Sequence, residues 1–172
     1  MRTFSILALL PAVTMAGALW AGSSASAPSS ASAAPAPKPE KKLTGFLVKP
    51  RAAGGLCLEV ADGNTGNGAL TTVWPCHGGA NQRWSFDGGR LRSDLPGNKC
   101  LDVRGGNGGS GAATNLYDCN GAAGQQWHFR GDNLVSGVNA NCLTVVGANF
   151  AGGGAVVNWQ CVNGRDQAWE IS

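Results

Sequence analysis

The chain has 172 residues with thirteen Lys and Arg against ten Asp and Glu, a length suited to one domain or one domain with a tail. The surplus positive charge sits before residue 43: from Leu43 to Ser172, nine basic and nine acidic residues cancel. That balance argues against nucleic acid and anionic membranes as partners, since both need clustered cationic charge to displace counterions. Glycine, the commonest residue of this region, demands many tight turns.

In chain order, residues 1–33 run from Arg2 through the apolar stretch "FSILALLPAVTMAGALW" into small residues, the three-part pattern of a secretory signal peptide. The apolar run is short and holds Pro11, so it is not read as a permanent membrane span. Cleavage after Ala33 fits the small-x-small rule, and with no cysteine before Cys57 a lipid anchor at that point is not expected. Residues 34–42, "APAPKPEKK", alternate proline with small or charged residues and read as an extended spacer. The remainder, 43–172, is expected to be one domain in an exported, extracellular protein.

Within it, "NQRWSF" at 81–86 returns as "GQQWHF" at 124–129 and "DQAWEI" at 166–171, spaced 43 and then 42 residues apart. A period of that length marks a repeat architecture. The units "CLEVADGNTGNGALTTVWPCHGGANQRWSF", "CLDVRGGNGGSGAATNLYDCNGAAGQQWHF" and "CLTVVGANFAGGGAVVNWQCVNGRDQAWEI" align without gaps. Each opens on Cys-Leu-x-Val, a short alternating strand, then breaks into Gly and Asn that form a turn or loop. A second strand leads to Trp74, Tyr117 or Trp159, and a third carries the Gln-x-Trp tryptophan. A fourth strand per unit is expected at 46–48, 90–92 and 133–135. Nothing has helical period.

Twelve short strands in three equal units, with no polar terminal caps of the kind an open stack requires, predict an all-β body closed about a pseudo-threefold axis. Leu58, Leu101 and Leu143, the tryptophans Trp84, Trp127 and Trp169, and Phe86, Phe129 and Ile171 recur at matching positions and should form the shared core.

The cysteines stand at 57, 76, 100, 119, 142 and 161, with a separation of 19 positions within each successive pair. Many pairings are possible, but a threefold repeat leaves one that treats all units alike: Cys57–Cys76, Cys100–Cys119 and Cys142–Cys161. A metal site is disfavoured by the absence of Cys-x-x-Cys, by the placing of the two histidines, and by an export route that oxidises thiols. No cofactor is expected.

Three copies of Cys-Leu-x-x, aromatic-x-Cys and Gln-x-Trp in register resemble the ricin B-type lectin domain, also described as a family of carbohydrate-binding modules. The resemblance covers 43–172 and implies a β-trefoil that binds sugars. It also implies a pocket in each unit. An acid at the third position accepts hydroxyls, the aromatic before the second cysteine stacks on the sugar, and polar residues follow. For the second unit these are Asp102, Tyr117, Asn120 and Gln125, with Gly124 departing from the usual polar residue. The first unit supplies Glu59, Trp74, His77, Asn81 and Gln82, its Glu reaching one methylene further than the usual Asp. In the third, Thr144 replaces the acid and Val162 follows the cysteine, leaving Trp159, Asn163, Asp166 and Gln167 as the weakest set.

Other readings stand beside these. The glutamines can be structural amides satisfying strand-end backbone groups; His77 can be a solvated loop residue, and His128 an outward strand residue. "GGNGGSG" at 105–111 is a turn and no phosphate cradle, because no helix or lysine follows. The functional expectation is a monomeric lectin for galactosides, xylan or related glycans, using up to three weak sites coupled by avidity. A protein-interaction or inhibitor module on the same scaffold is the alternative. Catalysis is not expected: a glycosidase sets two carboxylates about 5 to 10 Å apart on one bond, whereas here the pocket acids come one per repeat.

Overall fold

The computed structural model describes residues 43–172; the signal peptide expected at 1–33 and the spacer at 34–42 lie outside the described residues. Among the described residues there are twelve strands, six single 3₁₀ turns and no α-helix. The first unit contributes β1 (Phe46–Pro50), β2 (Leu56–Val60), β3 (Thr71–Pro75) and β4 (Arg83–Asp87). The second has β5 (Arg90–Ser93), β6 (Lys99–Val103), β7 (Ala112–Asp118) and β8 (Trp127–Arg130). The third has β9 (Asn133–Ser136), β10 (Cys142–Val145), β11 (Gly154–Trp159) and β12 (Trp169–Ile171).

All neighbouring strands are antiparallel, so each unit folds from local hairpins whose turns the Gly and Asn runs supply. Closure comes from contacts between units. The last strand pairs with the first, Val48 opposite Ile171. Near the axis β11 pairs with both β3 and β7, and a bridge from Leu70 to Asn115 ties the first unit to the second. The equivalent residues Thr71, Thr114 and Val156 meet there. The two hydroxyls lie 2.6 Å apart, and the Thr114 hydroxyl donates to the Val156 carbonyl at 2.9 Å. Edges are thereby paired off. Together these features make the domain a β-trefoil.

The core is built as the repeat predicts at two of its three recurring positions. Leu58, Leu101 and Leu143 are fully buried, as are Trp84, Trp127 and Trp169 within 2 %. The third position differs. Phe86 and Phe129 are only partly buried, and Ile171 is 39 % exposed. Phe46, Phe86 and Phe129 instead form an aromatic row, with centroids 5.6 and 6.2 Å apart, packed against the edge of the core. Ile171 has no ring to join that row and ends the final short strand, one residue from the chain terminus.

The three disulfides join Cys57–Cys76, Cys100–Cys119 and Cys142–Cys161, each with Cα atoms 5.1 Å apart. Each fastens the start of one strand to the loop after the next. In the chain-entropy view each closure of this length stabilises the fold by about 3 kcal/mol.

Candidate functional site

The Gln-x-Trp motif sets the same local frame in each unit, and two of the three units open a cavity on it. Its tryptophan fills the core, and the indole N–H donates to the carbonyl of the leucine beside the pocket position: Trp84 to Leu58 at 3.0 Å, Trp127 to Leu101 at 3.0 Å, Trp169 to Leu143 at 2.8 Å. The glutamine two residues earlier is wholly buried in every unit. Its side-chain oxygen accepts the N–H of the residue after the second cysteine, His77, Asn120 or Val162, each at 2.8 Å. Its amide nitrogen donates to the backbone carbonyl just before that cysteine. One buried amide thus locks the loop carrying the polar residues onto the strand carrying the aromatic. Buried polar groups without such partners would cost about 1 to 3 kcal/mol each.

In the first unit Glu59 and Trp74 line a cavity of about 400 Å³ with Ala61, Asp62, Thr72, His77 and Asn81, and with Gly153 from the third unit. Glu59 is 6 % exposed and already engaged. Gln82 donates to its Oε2 at 3.0 Å, Asn81 at 3.3 Å, and His77 Nε2 stands 3.5 Å away. The indole of Trp74 is 44 % exposed at the rim.

The second unit opens a cavity of about 500 Å³ that brings Asp102, Tyr117, Asn120 and Gly124 together with Arg104, Asn115 and the first-unit residue Asn67. Here the carboxylate is bare. Asp102 is buried, and no described residue donates a hydrogen bond to it; the shorter side chain is not engaged by Gln125, whose amide bonds only the Asp118 carbonyl. Burial raises its carboxyl to about 6. Gly124 permits this openness, since a Cβ there would come within 2.9 Å of Asp102 Oδ1 and 3.3 Å of the Val103 carbonyl oxygen. The Tyr117 ring is 42 % exposed.

The rim of this second cavity is held by a network across units. Lys99 donates to Asp118 at 2.6 Å and to Asn67 at 2.7 Å, and Asn67 donates back to Asp118 at 2.8 Å. The Lys99 and Asn67 hydrogen bonds hold the Asp118 carboxyl below its usual range.

In the third unit Thr144 is used internally. Its hydroxyl bonds the Cys142 carbonyl at 2.9 Å and accepts from Gln167 at 3.1 Å. Trp159 is 44 % exposed, lying over Gly111 of the second unit, and Asn163 and Val162 are exposed in the loop beyond it. No acid stands at the pocket position. His128 is exposed on β8 and lines neither acid-bearing cavity.

Reading each unit alone missed the residues that enter a cavity from a neighbouring unit, Asn67 and Gly153, and the cavity-lining Arg104 and Asn115. Only Arg104 left a signal, as a charge where the other units have Ala61 and Val146. Among the described residues no cluster of His, Cys, Asp and Glu could hold a metal ion, and no helix is long and apolar enough to cross a membrane.

A family model, the ricin-type beta-trefoil lectin domain, matches residues 45–171. The designed three-fold symmetric protein ThreeFoil superposes with a TM-score of 0.67 at 28 % identity, covering 74 % of this chain and 97 % of its own. The β-trefoil lectin of the Vibrio vulnificus hemolysin/cytolysin, solved with N-acetyl-D-lactosamine bound, gives 0.61 at 26 %, covering 76 % and 93 %. The earthworm R-type lectin C-half, solved with GalNAc, shares the fold with a TM-score of 0.62 at 21 % identity, covering 74 % and 96 %. The extent of the family match, with its three Gln-x-Trp units each seating a buried tryptophan, means that this chain belongs to the ricin-type β-trefoil lectin domain family.

Proposed function

We propose that the protein is a secreted, monomeric lectin that binds galactose- or xylose-type sugars, or polysaccharides containing them, without catalysing a reaction on them. The observation that carries the reading is the pairing, twice over, of a buried carboxylate with an exposed ring on one cavity: Glu59 with Trp74, and Asp102 with Tyr117. A pyranose offers hydroxyl donors to the acid and a C–H face to the ring. The sugars bound by the Vibrio and earthworm lectins support a carbohydrate ligand. Asn81, His77 and Asn120 supply further polar contacts, and Gln82, Gln125 and Gln167 act as supports behind them. The third set, Trp159, Asn163 and Gln167, is the weakest because Thr144 spends its hydroxyl internally.

One ring and a few exposed hydrogen bonds give about 4 to 5 kcal/mol, close to millimolar affinity. A polymer reaching two or three sites gains avidity without new contacts. Three disulfides favour an oxidising, extracellular setting; with the proposed signal peptide at 1–33, spacer at 34–42 and lectin domain at 43–172, this supports export. The absence of catalysis is supported by the repeat's pocket acids, Glu59 and Asp102, lining separate cavities, and by Glu59, which shares its cavity with Asp62, being already bonded by Gln82 and Asn81.

Titrating xylan, galactosides and unrelated polysaccharides while following tryptophan fluorescence tests the proposal, because Trp74 stands at a rim. A saturable response to a xylose- or galactose-containing glycan is expected. A folded, oxidised protein silent to every carbohydrate overturns it. In that case the alternative gains: a protein-interaction module, whose partner would be captured regardless of competing sugar and of Asp102→Ala.

A further inference from the structure

The two acid-bearing cavities differ in charge, and the difference lies in a residue that the repeat does not keep. Two positions past the pocket acid stand Ala61, Arg104 and Val146 in the three units. Arg104 is exposed and lines the cavity of Asp102 and Tyr117. No described residue forms a hydrogen bond or ion pair with its guanidinium. The nearby charges are committed elsewhere, since Lys99 and Asp118 pair with each other at 2.6 Å. Nor does Arg104 neutralise Asp102: a guanidinium in contact would hold that carboxyl down, whereas burial raises it to about 6.

The floor of the same cavity offers acceptors without donors. Asn115, opposite Asp102 across the β6–β7 ladder, is 2 % exposed and leaves its Oδ1 without a partner. That oxygen is sealed from solvent, so the acceptor open to a ligand hydroxyl is the Asp102 carboxylate, which lines the cavity and also has no partner. The free guanidinium calls for an anion, and its planar fork matches a carboxylate through two parallel hydrogen bonds. The first cavity has the opposite character. Its acid is already bonded by Gln82 and Asn81, and its additional charged lining residue is Asp62.

We propose that the second cavity is a site for a carboxylate-bearing pyranose, a uronic acid unit, with ring hydroxyls on Asp102, its face on Tyr117 and its carboxylate on Arg104. The first cavity takes neutral sugars. The C2 and C3 hydroxyls of a uronic acid lie across the ring from the carboxylate on C5, so one sugar can serve Asp102 without bringing two carboxylates together. The inference deepens the lectin reading and rests on it: an acidic polysaccharide with neutral units would engage both cavities at once.

The test is an amide-resolved NMR titration of the oxidised protein with methyl glucuronide or galacturonide, with the methyl ester of each, and with neutral methyl xyloside and galactoside. Signals near Tyr117 and Gly124 report the second cavity and those near Trp74 the first. The uronate is expected to bind the second cavity roughly two- to fivefold tighter than its ester at low salt, the gain of one exposed ion pair, and to lose that advantage at high ionic strength. Arg104→Gln should abolish the difference and Arg104→Lys retain part of it, with the amide spectrum away from the cavity showing each variant folded. Equal affinity for uronate and ester, while neutral sugars still bind, overturns the inference and leaves the lectin reading standing. A sulfated galactoside bound as tightly as the uronate overturns the choice of carboxylate. No shift at either cavity with any sugar overturns both.

Discussion

Asp102→Asn should make the protein more stable and less able to bind. Asp102 is 9 % exposed, and its carboxyl receives no hydrogen bond from a described residue and is raised by burial from 3.8 to about 6. The folded state therefore holds its proton more tightly than the unfolded chain does, and ionisation costs stability. That cost is absent below about pH 4, grows between pH 4 and 6, and is complete above pH 6. At about 1.4 kcal/mol per unit the ceiling is about 3 kcal/mol at pH 7; solvent in the open cavity screens part of it, leaving about 1 to 2 kcal/mol. Guanidinium chloride unfolding of the oxidised wild type and variant, at pH 7 and pH 4, measures the difference. The variant should gain about 1 to 2 kcal/mol at pH 7 and less than about 0.5 at pH 4, while sugar affinity at the second cavity falls roughly tenfold or more with the loss of a charged acceptor. A variant no more stable than the wild type at pH 7, or equally stabilised at both pH values, refutes the reasoning.

Further outcomes follow from the same contacts. Gln82→Ala strands the His77 and Gly78 N–H groups, which its side chain accepts at 2.8 and 3.1 Å; thermal unfolding should show a loss of about 2 to 4 kcal/mol, with weaker sugar binding at the first cavity. Trp74→Ala should cost about 1 to 2 kcal/mol, because just over half of the residue is buried, with its ring against Gly152 and Gly153, and should remove most of the fluorescence response and the first-cavity affinity. Replacing Cys57 and Cys76 together by Ala should cost about 3 kcal/mol in denaturant titration. Asn67→Ala, which releases the first-unit loop from Lys99 and Asp118, should weaken the second cavity by about threefold in an NMR titration and leave the first unchanged.

The fold was legible because its constraints are periodic. Cysteines 19 residues apart and tryptophans every 42 to 43 residues leave little choice of register, and the twelve strands fall where alternation places them. Ile171 shows the limit of that logic: its aligned position holds Phe86 and Phe129, whose rings meet each other, and an aliphatic chain on the last strand cannot reach the row. The role of the glutamines was half legible. Burial and the bonds to the post-cysteine loop follow the structural reading, but the place in the pocket that the resemblance implies differs between units: the amide bonds the acid at Glu59 and not at Asp102, whose side chain is one methylene shorter. The turn after β2 makes a related point. Asp62 adopts a left-handed φ of 55° where the equivalent residues are Gly105 and Gly147, so a carboxylate stands at the first cavity's rim where the other units have none. Asn67, Gly111 and Gly153 were invisible because a unit-by-unit alignment carries no contacts between units.

The most direct test is a crystal structure of the oxidised protein grown with saturating xylobiose or lactose. The account predicts a pyranose stacked on Trp74 or Tyr117 with a hydroxyl donated to Glu59 or Asp102. Both rings bare under saturating sugar, or sugar seated away from both acids, contradicts it.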